Sequence, residues 1–379
     1  MDMQHPDHLT DAGPAPVQPR RALVLSGGIA LGAFEAGAYA TWEAREGGPP
    51  PWLLGASVGA VNAAIIAGNP PERRLARLRA FWDSAVLEPA PLATSLFGPP
   101  PAGVLRRGYN EASALQAMML GHPGLFRRRL LPQAGPAAAI YDLDPLRERI
   151  ADFVDFELLN HGPIRLSVAA TDVETGTRIV FDTAQGARIG PEHLAASCAL
   201  LPFFTPVEVE GRLLADGGLS TNAPLDLVLD APGAGPLHCV VVELFARSGS
   251  RPQSLSAAVA RAGDLAFGNQ TRQALEGRAR EYRLRALVGR LAAQLPPGHE
   301  REAELAGLLA GAEATIALLG YHPSEDEAGA GKVFNFSRAT LAHRWEAGER
   351  AMTEALDRMA HPEQAEVLAP GLLLHAIGN

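Results

Sequence analysis

Short apolar runs that stop at glycine, each followed by a longer alanine-rich run, recur along the first 245 residues. Ala22–Leu25 is the first; it ends at Ser26-Gly27-Gly28 and leads into a helix-compatible stretch over Ala33–Glu46. Brief apolar runs bounded by glycine predict buried strands of a parallel sheet. Trp52–Leu54 and Val58–Ala67 repeat the pattern of strand, tight turn and helix. After Pro70-Pro71, Arg73, Arg74, Arg77 and Arg79 interleave with Leu75, Leu78, Phe81 and Trp82, which predicts an amphipathic surface helix. Residues 89–140 are less regular, with a Pro- and Gly-rich loop, a helical piece and the run LFRRRLLP. Ile164–Ala170 and Arg178–Phe181 read as strands joined by a turn, and Arg212–Ala215 and His238–Phe245 as two more.

Beyond about residue 246 the character changes. Residues 254–319 are rich in Ala, Leu, Arg and Glu, broken at Pro296-Pro297-Gly298, and predict long helices. A last helix is expected from Ser337 to Met359, where Leu341, Trp345, Gly348, Met352, Leu356 and Met359 fall three or four apart. Strands alternating with helices over 22–245 place the chain in the α/β class with a mostly parallel sheet.

Composition narrows the function. With 47% hydrophobic and 20% charged residues in 379, the chain can bury a large core. A net charge of −9 argues against the clustered basic surface that nucleic acid requires. Cys198 and Cys239 are too few for a disulfide framework and read as buried free thiols. The scattered His and Cys have no zinc spacing, so no metal is expected. Residues 1–20 read as a disordered tail without the apolar core of a secretory signal. No run approaches the roughly 18 apolar residues of a membrane span. A soluble, cytoplasmic protein is the expectation.

Three local patterns carry chemistry. Gly55-Ala56-Ser57-Val58-Gly59 fits G-x-S-x-G at a strand–helix junction. A nucleophile on such a turn needs small neighbours, and the N–H groups opening the next helix favour negative charge beside it. The competing reading is a plain strand–helix turn. Ser26-Gly27-Gly28-Ile29 forms a second junction. Gly27 and Gly32 have P-loop spacing, but Ala33 replaces its lysine; Ile29 replaces the middle glycine of a dinucleotide fingerprint. An oxyanion hole of the Gly27, Gly28 and Ile29 N–H groups remains, beside a purely packing role. Asp216-Gly217-Gly218 puts an acid at a strand end, able to take a serine proton directly; a common Asp-Gly-Gly turn is the alternative. A triad would need His343, His361 or His375, which read instead as surface or helix residues. Asp172 and Asp182 read as turn and strand-end residues. Arg106-Arg107 and Arg127-Arg128-Arg129 offer either a lid or membrane-facing patch or a solvated helix face.

Together the three patterns, in this order, resemble the patatin-like phospholipases. Ala169-Ala170-Thr171-Asp172 with Thr175-Gly176, and Ala196-Ser197-Cys198-Ala199-Leu200-Leu201-Pro202, are also similar to pieces of that family, and the likeness covers about 22–245. The family's loop has a third glycine and a basic residue where this chain has Ile29 and Leu31. Phe334-Asn335-Phe336-Ser337 and the Trp345 helix are similar to the C-terminal extension of a bacterial subset. The resemblance implies a three-layer α/β/α sandwich over 21–245, with a helical extension, 246–379, packed on it. It further implies a serine acyl hydrolase acting on acyl-ester or phospholipid substrates without a cofactor. Ser57 would be the nucleophile on the elbow of Gly55 and Gly59, Asp216 the base beside Gly217 and Gly218, and the 27–29 loop the oxyanion hole. Transient contact with a membrane surface fits such a substrate. A binding or regulatory protein on the same scaffold is the alternative, and the sequence does not indicate an oligomeric state.

Overall fold

Alternation inside the apolar runs decides the architecture. In the first strand, β1 (Arg20–Leu25), Leu23 and Leu25 join one core while Ala22 and Val24 join a second, and none is more than 1% exposed. A strand buried on both faces needs helices above and below it. The computed structural model, which describes residues 19–129, 139–231, 235–249, 251–296, 301–309, 313–327, 329 and 331–378, provides them.

Ten strands form the central sheet among the described residues. After β1 come β2 (Trp52–Ala56), β3 (Arg165–Asp172), β4 (Arg178–Asp182), β5 (Val207–Val209), β6 (Arg212–Asp216), β7 (Leu237–Glu243), β8 (Ala314–Gly320), β9 (Glu366–Ala369) and β10 (Leu372–Ile377). Their order across the sheet is β9-β10-β8-β7-β1-β2-β3-β6-β5, with β4 paired to β3. The six from β10 to β3 run parallel, and β4, β5, β6 and β9 join antiparallel. This is the α/β class with a mostly parallel sheet that the apolar runs predict.

The principal helices are α1 (Ala33–Glu46), α2 (Val58–Ala67), α3 (Pro71–Ser84), α4 (Val104–Leu120), α5 (Pro191–Ser197), α6 (Leu255–Gly268), α7 (Gln270–Ala292) and α8 (Arg338–Met359). One core gathers Phe34 and Trp42 of α1, Ile65 of α2, Trp82 of α3 and Trp345 of α8 against Leu25, Leu53 and Val242. The other sets Leu275, Ala279 and Tyr282 of α7 against Val24, Leu54, Val241 and Ile316. Helices α1 and α8 cross backbone to backbone: a Cβ added at Gly37 would lie 1.9 Å from the Trp345 carbonyl oxygen.

The expectation of a purely helical segment after residue 246 is corrected. ATIALLG, inside the run read as long helices, is β8, parallel to β7 over its whole length. The ending EVLA and LLLHAI form β9 and β10 of the same sheet. A strand buried on both faces lacks the alternation that marks a strand, and Ala and Leu favour helices, so periodicity misassigned it. His375 is corrected too: it is 1% exposed on β10, four places from β2. His343 and His361 are exposed, as expected. Of the expected tail, residues 1–18 lie outside the described residues, as do 130–132 of LFRRRLLP and Pro297-Gly298.

Candidate active site

The sheet brings Ser57 and Asp216 together through one edge of β3. Ala56, the last residue of β2, pairs with Ala169, and Asp216, the last of β6, pairs with Ala170. Strand β4 occupies Ser167 to Thr171. Its overlap with both puts β2 and β6 end to end on the opposite edge. Parallel β2 and antiparallel β6 thus stop at neighbouring positions, pointing their C-terminal ends at each other.

The turn at Ser57 is strained as the G-x-S-x-G pattern requires, with φ 55° and ψ −130°. A conformation this rare costs on the order of 1–3 kcal/mol and persists only where packing enforces it. The packing is close. A Cβ at Gly55 would lie 2.4 Å from the Ala60 nitrogen, and one at Gly59 2.3 Å from the Leu25 carbonyl oxygen. Helix α2 therefore rests directly on β1 and β2 with Ser57 at its N-cap. The Ser57 N–H donates to Ser197 Oγ (2.8 Å), which donates in turn to the Ala169 carbonyl (2.7 Å).

The Ser57 side chain and the Asp216 carboxyl face each other across one cavity. The carboxylate is 3% exposed and accepts the Gly218 N–H at 2.7 Å, while the Thr171 hydroxyl donates to the Asp216 carbonyl oxygen at 2.8 Å. Burial pushes the Asp216 carboxyl up to about 7, against the lowering effect of the Ser57 side chain and the Gly218 N–H. A carboxyl near neutrality is matched to taking and returning a proton. Cys198, which the sequence marks only as a thiol, lies at this point too. Burial and then Asp216 raise its thiol well above its ordinary value, against the lowering effect of the Ser57 side chain.

The 27–29 loop lies alongside. A Cβ on Gly27 would sit 2.9 Å from Ser57 Cβ. Of its three N–H groups, that of Gly27 is already engaged, donating to Asn222 Oδ1 (3.1 Å) and the Asn222 carbonyl (3.3 Å). The oxyanion role read for Gly27 therefore narrows to Gly28 and Ile29, whose N–H groups have no protein partner among the described residues. Ile29 adopts φ 51°, the left-handed conformation its Cβ disfavours. The loop is anchored from behind. Asn62 of α2 donates to the Gly32 carbonyl (3.0 Å) and to Glu35 (2.9 Å). Arg344 of α8, fully buried, donates to the Ala30 carbonyl at 2.9 Å and to Glu327 at 2.8 Å. None of Asn222, Ser197 or Arg344 was read from the sequence as a functional residue.

Two apolar cavities meet at Ser57 and Ile29. One, about 200 Å³, is lined by Met118, Phe203, Phe245, Val259, Phe267 and Phe334 among others. The other, about 50 Å³, lies between Val61, Phe81, Trp82, Leu146, Phe204 and Phe336. Asp172 and Asp182 serve local structure: Asp172 accepts from the N–H groups of Glu174 and Thr175, and Asp182 from Arg165 and Ser167. Arg127 is paired with Asp142 and Asp144. Among the described residues, no group of three or more His, Cys, Asp or Glu is placed to hold a metal ion, and no helix is long and apolar enough to cross a membrane.

A family model of patatin-like phospholipases matches residues 23–229, more than half of the chain, and a second, described as patatin phospholipase, matches residues 265–367. Uncharacterized NTE family proteins of Mycobacterium tuberculosis and Mycobacterium bovis are each 34% identical over 109 residues, 28% of this chain. The match spans 27% of those relatives' length. Among solved structures, the chain is similar to VipD from Legionella pneumophila, with 15% identity and a TM-score of 0.39 over 90% of this chain and 67% of that one. It is also similar to the ExoU–SpcU complex from the type III secretion system of Pseudomonas aeruginosa, at 15% identity and a TM-score of 0.34 over 90% and 52%. Both scores are below 0.5.

Proposed function

This chain belongs to the patatin-like phospholipase family, and from that premise we propose that it is a serine acyl hydrolase cleaving acyl esters of lipid-like substrates. One observation carries the reading: a strained serine faces a buried carboxyl of raised pKa, at the meeting point of two apolar cavities. Ser57 Oγ attacks the ester carbonyl carbon as its proton passes to Asp216. The N–H groups of Gly28 and Ile29 hold the resulting oxyanion. Asp216 returns the proton to the leaving alcohol, which departs and leaves an acyl enzyme. Water then attacks, its proton goes to Asp216 and on to Ser57 Oγ, and the fatty acid leaves.

The apolar linings favour a hydrocarbon chain over a polar acyl group, since each buried methylene contributes about 0.8 kcal/mol. A p-nitrophenyl ester and phospholipid panel tests the reading. Ser57→Ala and Asp216→Asn should each abolish turnover while the circular dichroism spectrum is retained. Full activity in either variant would refute the dyad. A fluorophosphonate separates this reading from a binding protein on the same scaffold: failure to label Ser57 in folded protein would favour the latter.

A further inference from the structure

The side chain of Asn222 contacts the loop in a way that fixes one peptide plane. Its Oδ1 accepts the Gly27 N–H at 3.1 Å, and its Nδ2 donates to the Gly27 carbonyl at 3.3 Å. The amide thus pairs with both backbone groups of Gly27, as a neighbouring strand would. The Gly27–Gly28 peptide is planar and trans, so its C=O and N–H point in opposite directions. With the Gly27 oxygen held toward Asn222, the Gly28 N–H is held away from it. Asn222 is 5% exposed and lines the same cavity as Ser57, Gly28 and Asp216.

Asn222 is itself held from outside the 23–229 match. The Asn222 N–H donates to Gln270 Oε1 at 2.6 Å, and Gln270 Nε2 donates to the Gly218 carbonyl at 3.1 Å. Gln270 opens α7, which packs on the sheet through Leu275, Ala279 and Tyr282. One side chain therefore spans the loop that follows Asp216, from Gly218 to Asn222, and Asn222 hands that alignment to Gly27.

We propose that Asn222 is a positioning residue for the oxyanion hole, orienting the Gly28 N–H, and that Gln270 sets Asn222 in register with Asp216. The inference rests on the serine hydrolase reading. It makes the segment after residue 246 a participant in catalysis: the acid and the oxyanion donors are aligned to each other through α7. Neither amide transfers a proton or offers an apolar surface to the acyl chain, so the loss on removing either is expected to fall on the charged intermediate.

The test compares wild type with Asn222→Ala, Asn222→Asp, Gln270→Ala and Gln270→Glu, each checked for an unchanged melting temperature. Three quantities are read for a p-nitrophenyl ester: kcat and KM, inhibition by an alkyl boronic acid, and inhibition by an unreactive alkyl ether of equal chain length. The boronic acid forms a charged tetrahedral adduct on Ser57, and the ether reports only the apolar cavity. Deleting one oxyanion donor costs about 100- to 1000-fold in kcat. Misorienting one is expected to cost roughly 10- to 100-fold in kcat for Asn222→Ala, with KM and ether affinity within about threefold and boronate affinity falling in parallel with kcat. Asn222→Asp, lacking the Nδ2 donor, should lose as much. Gln270→Glu keeps the acceptor for the Asn222 N–H and should recover part of the loss seen in Gln270→Ala.

If Asn222→Ala keeps kcat within twofold of wild type, or loses boronate and ether affinity equally, the positioning role is overturned while the hydrolase reading stands. A wild type that neither turns over the ester nor binds the boronate would remove the hydrolase reading, and this inference with it. Should Asn222→Ala melt early, the Gln270 pair decides alone: equal kcat in both variants and wild type overturns the proposal.

Discussion

Acidification is the perturbation that separates the buried Asp216 from the carboxylates at the surface. Burial pushes its carboxyl up to about 7, and only the ionised form can take the Ser57 proton. About half of the enzyme is then competent near pH 7, about a tenth at pH 6 and about a hundredth at pH 5. kcat/KM should rise roughly tenfold per pH unit below 7 and level off above 8. The same group has the opposite effect on stability. Its folded value lies above its unfolded value, so the neutral form is the one the fold favours. Its contribution is fully present below about pH 4 and is lost as pH rises to about 7. A rise of about three units corresponds to roughly 4 kcal/mol lost over that window. Asn is neutral at every pH, so Asp216→Asn should gain on wild type by up to that amount between pH 4 and pH 8. Burial also raises the Glu35 and Glu243 carboxyls, and the difference between the two proteins cancels both. The assay pairs pH-stat titration of a butyrate ester with urea unfolding of wild type and Asp216→Asn across the range. A kcat/KM flat from pH 5 to 8 would refute Asp216 as the buried base. A stability difference that does not change with pH would refute the burial.

Arg344→Met leaves Glu327 buried without its cation and should cost about 3–5 kcal/mol in urea unfolding; adding Glu327→Leu should restore much of it, and no recovery would show that the Ala30 contact, not the ion pair, is what matters. Val259 is 55% exposed and lines the cavity of about 200 Å³. Val259→Trp should therefore lower kcat/KM for an octanoyl ester about tenfold relative to an acetyl ester, as read by p-nitrophenol release; an equal loss for both would place the acyl chain elsewhere.

The parts of the site legible in the sequence are those whose demands are local. Ser57 needs small neighbours within two residues, and Asp216 needs a strand end and a tight turn, so both leave a pattern. The strands up to β7, except the three-residue β5, were legible as short apolar runs bounded by turn residues. Asn222 and Gln270 act across the fold on Gly27 and Gly218, and nothing in their own neighbourhoods requires them to be amides. Arg344 is similar: on its helix it reads as one more polar residue, and only the crossing of α1 and α8 buries it beside Ala30. Strand β8 was missed because a strand covered on both faces and built of Ala and Leu has no period of its own. The oxyanion loop was half legible. The glycines showed that backbone N–H groups were available, but not that Asn222 had already taken that of Gly27.

The strand order also governs how the chain can be shortened. Strand β7 is paired on both sides, to β1 over Leu237–Val242 and to β8 over Leu237–Glu243. A protein cut at residue 246 would keep both Ser57 and Asp216, yet it would carry LHCVVVE as a bare, β-branched edge. Unpaired backbone of that composition is a template on which copies add strand to strand. Such a fragment would be expected to reach the insoluble fraction on expression before any ester could reach its serine.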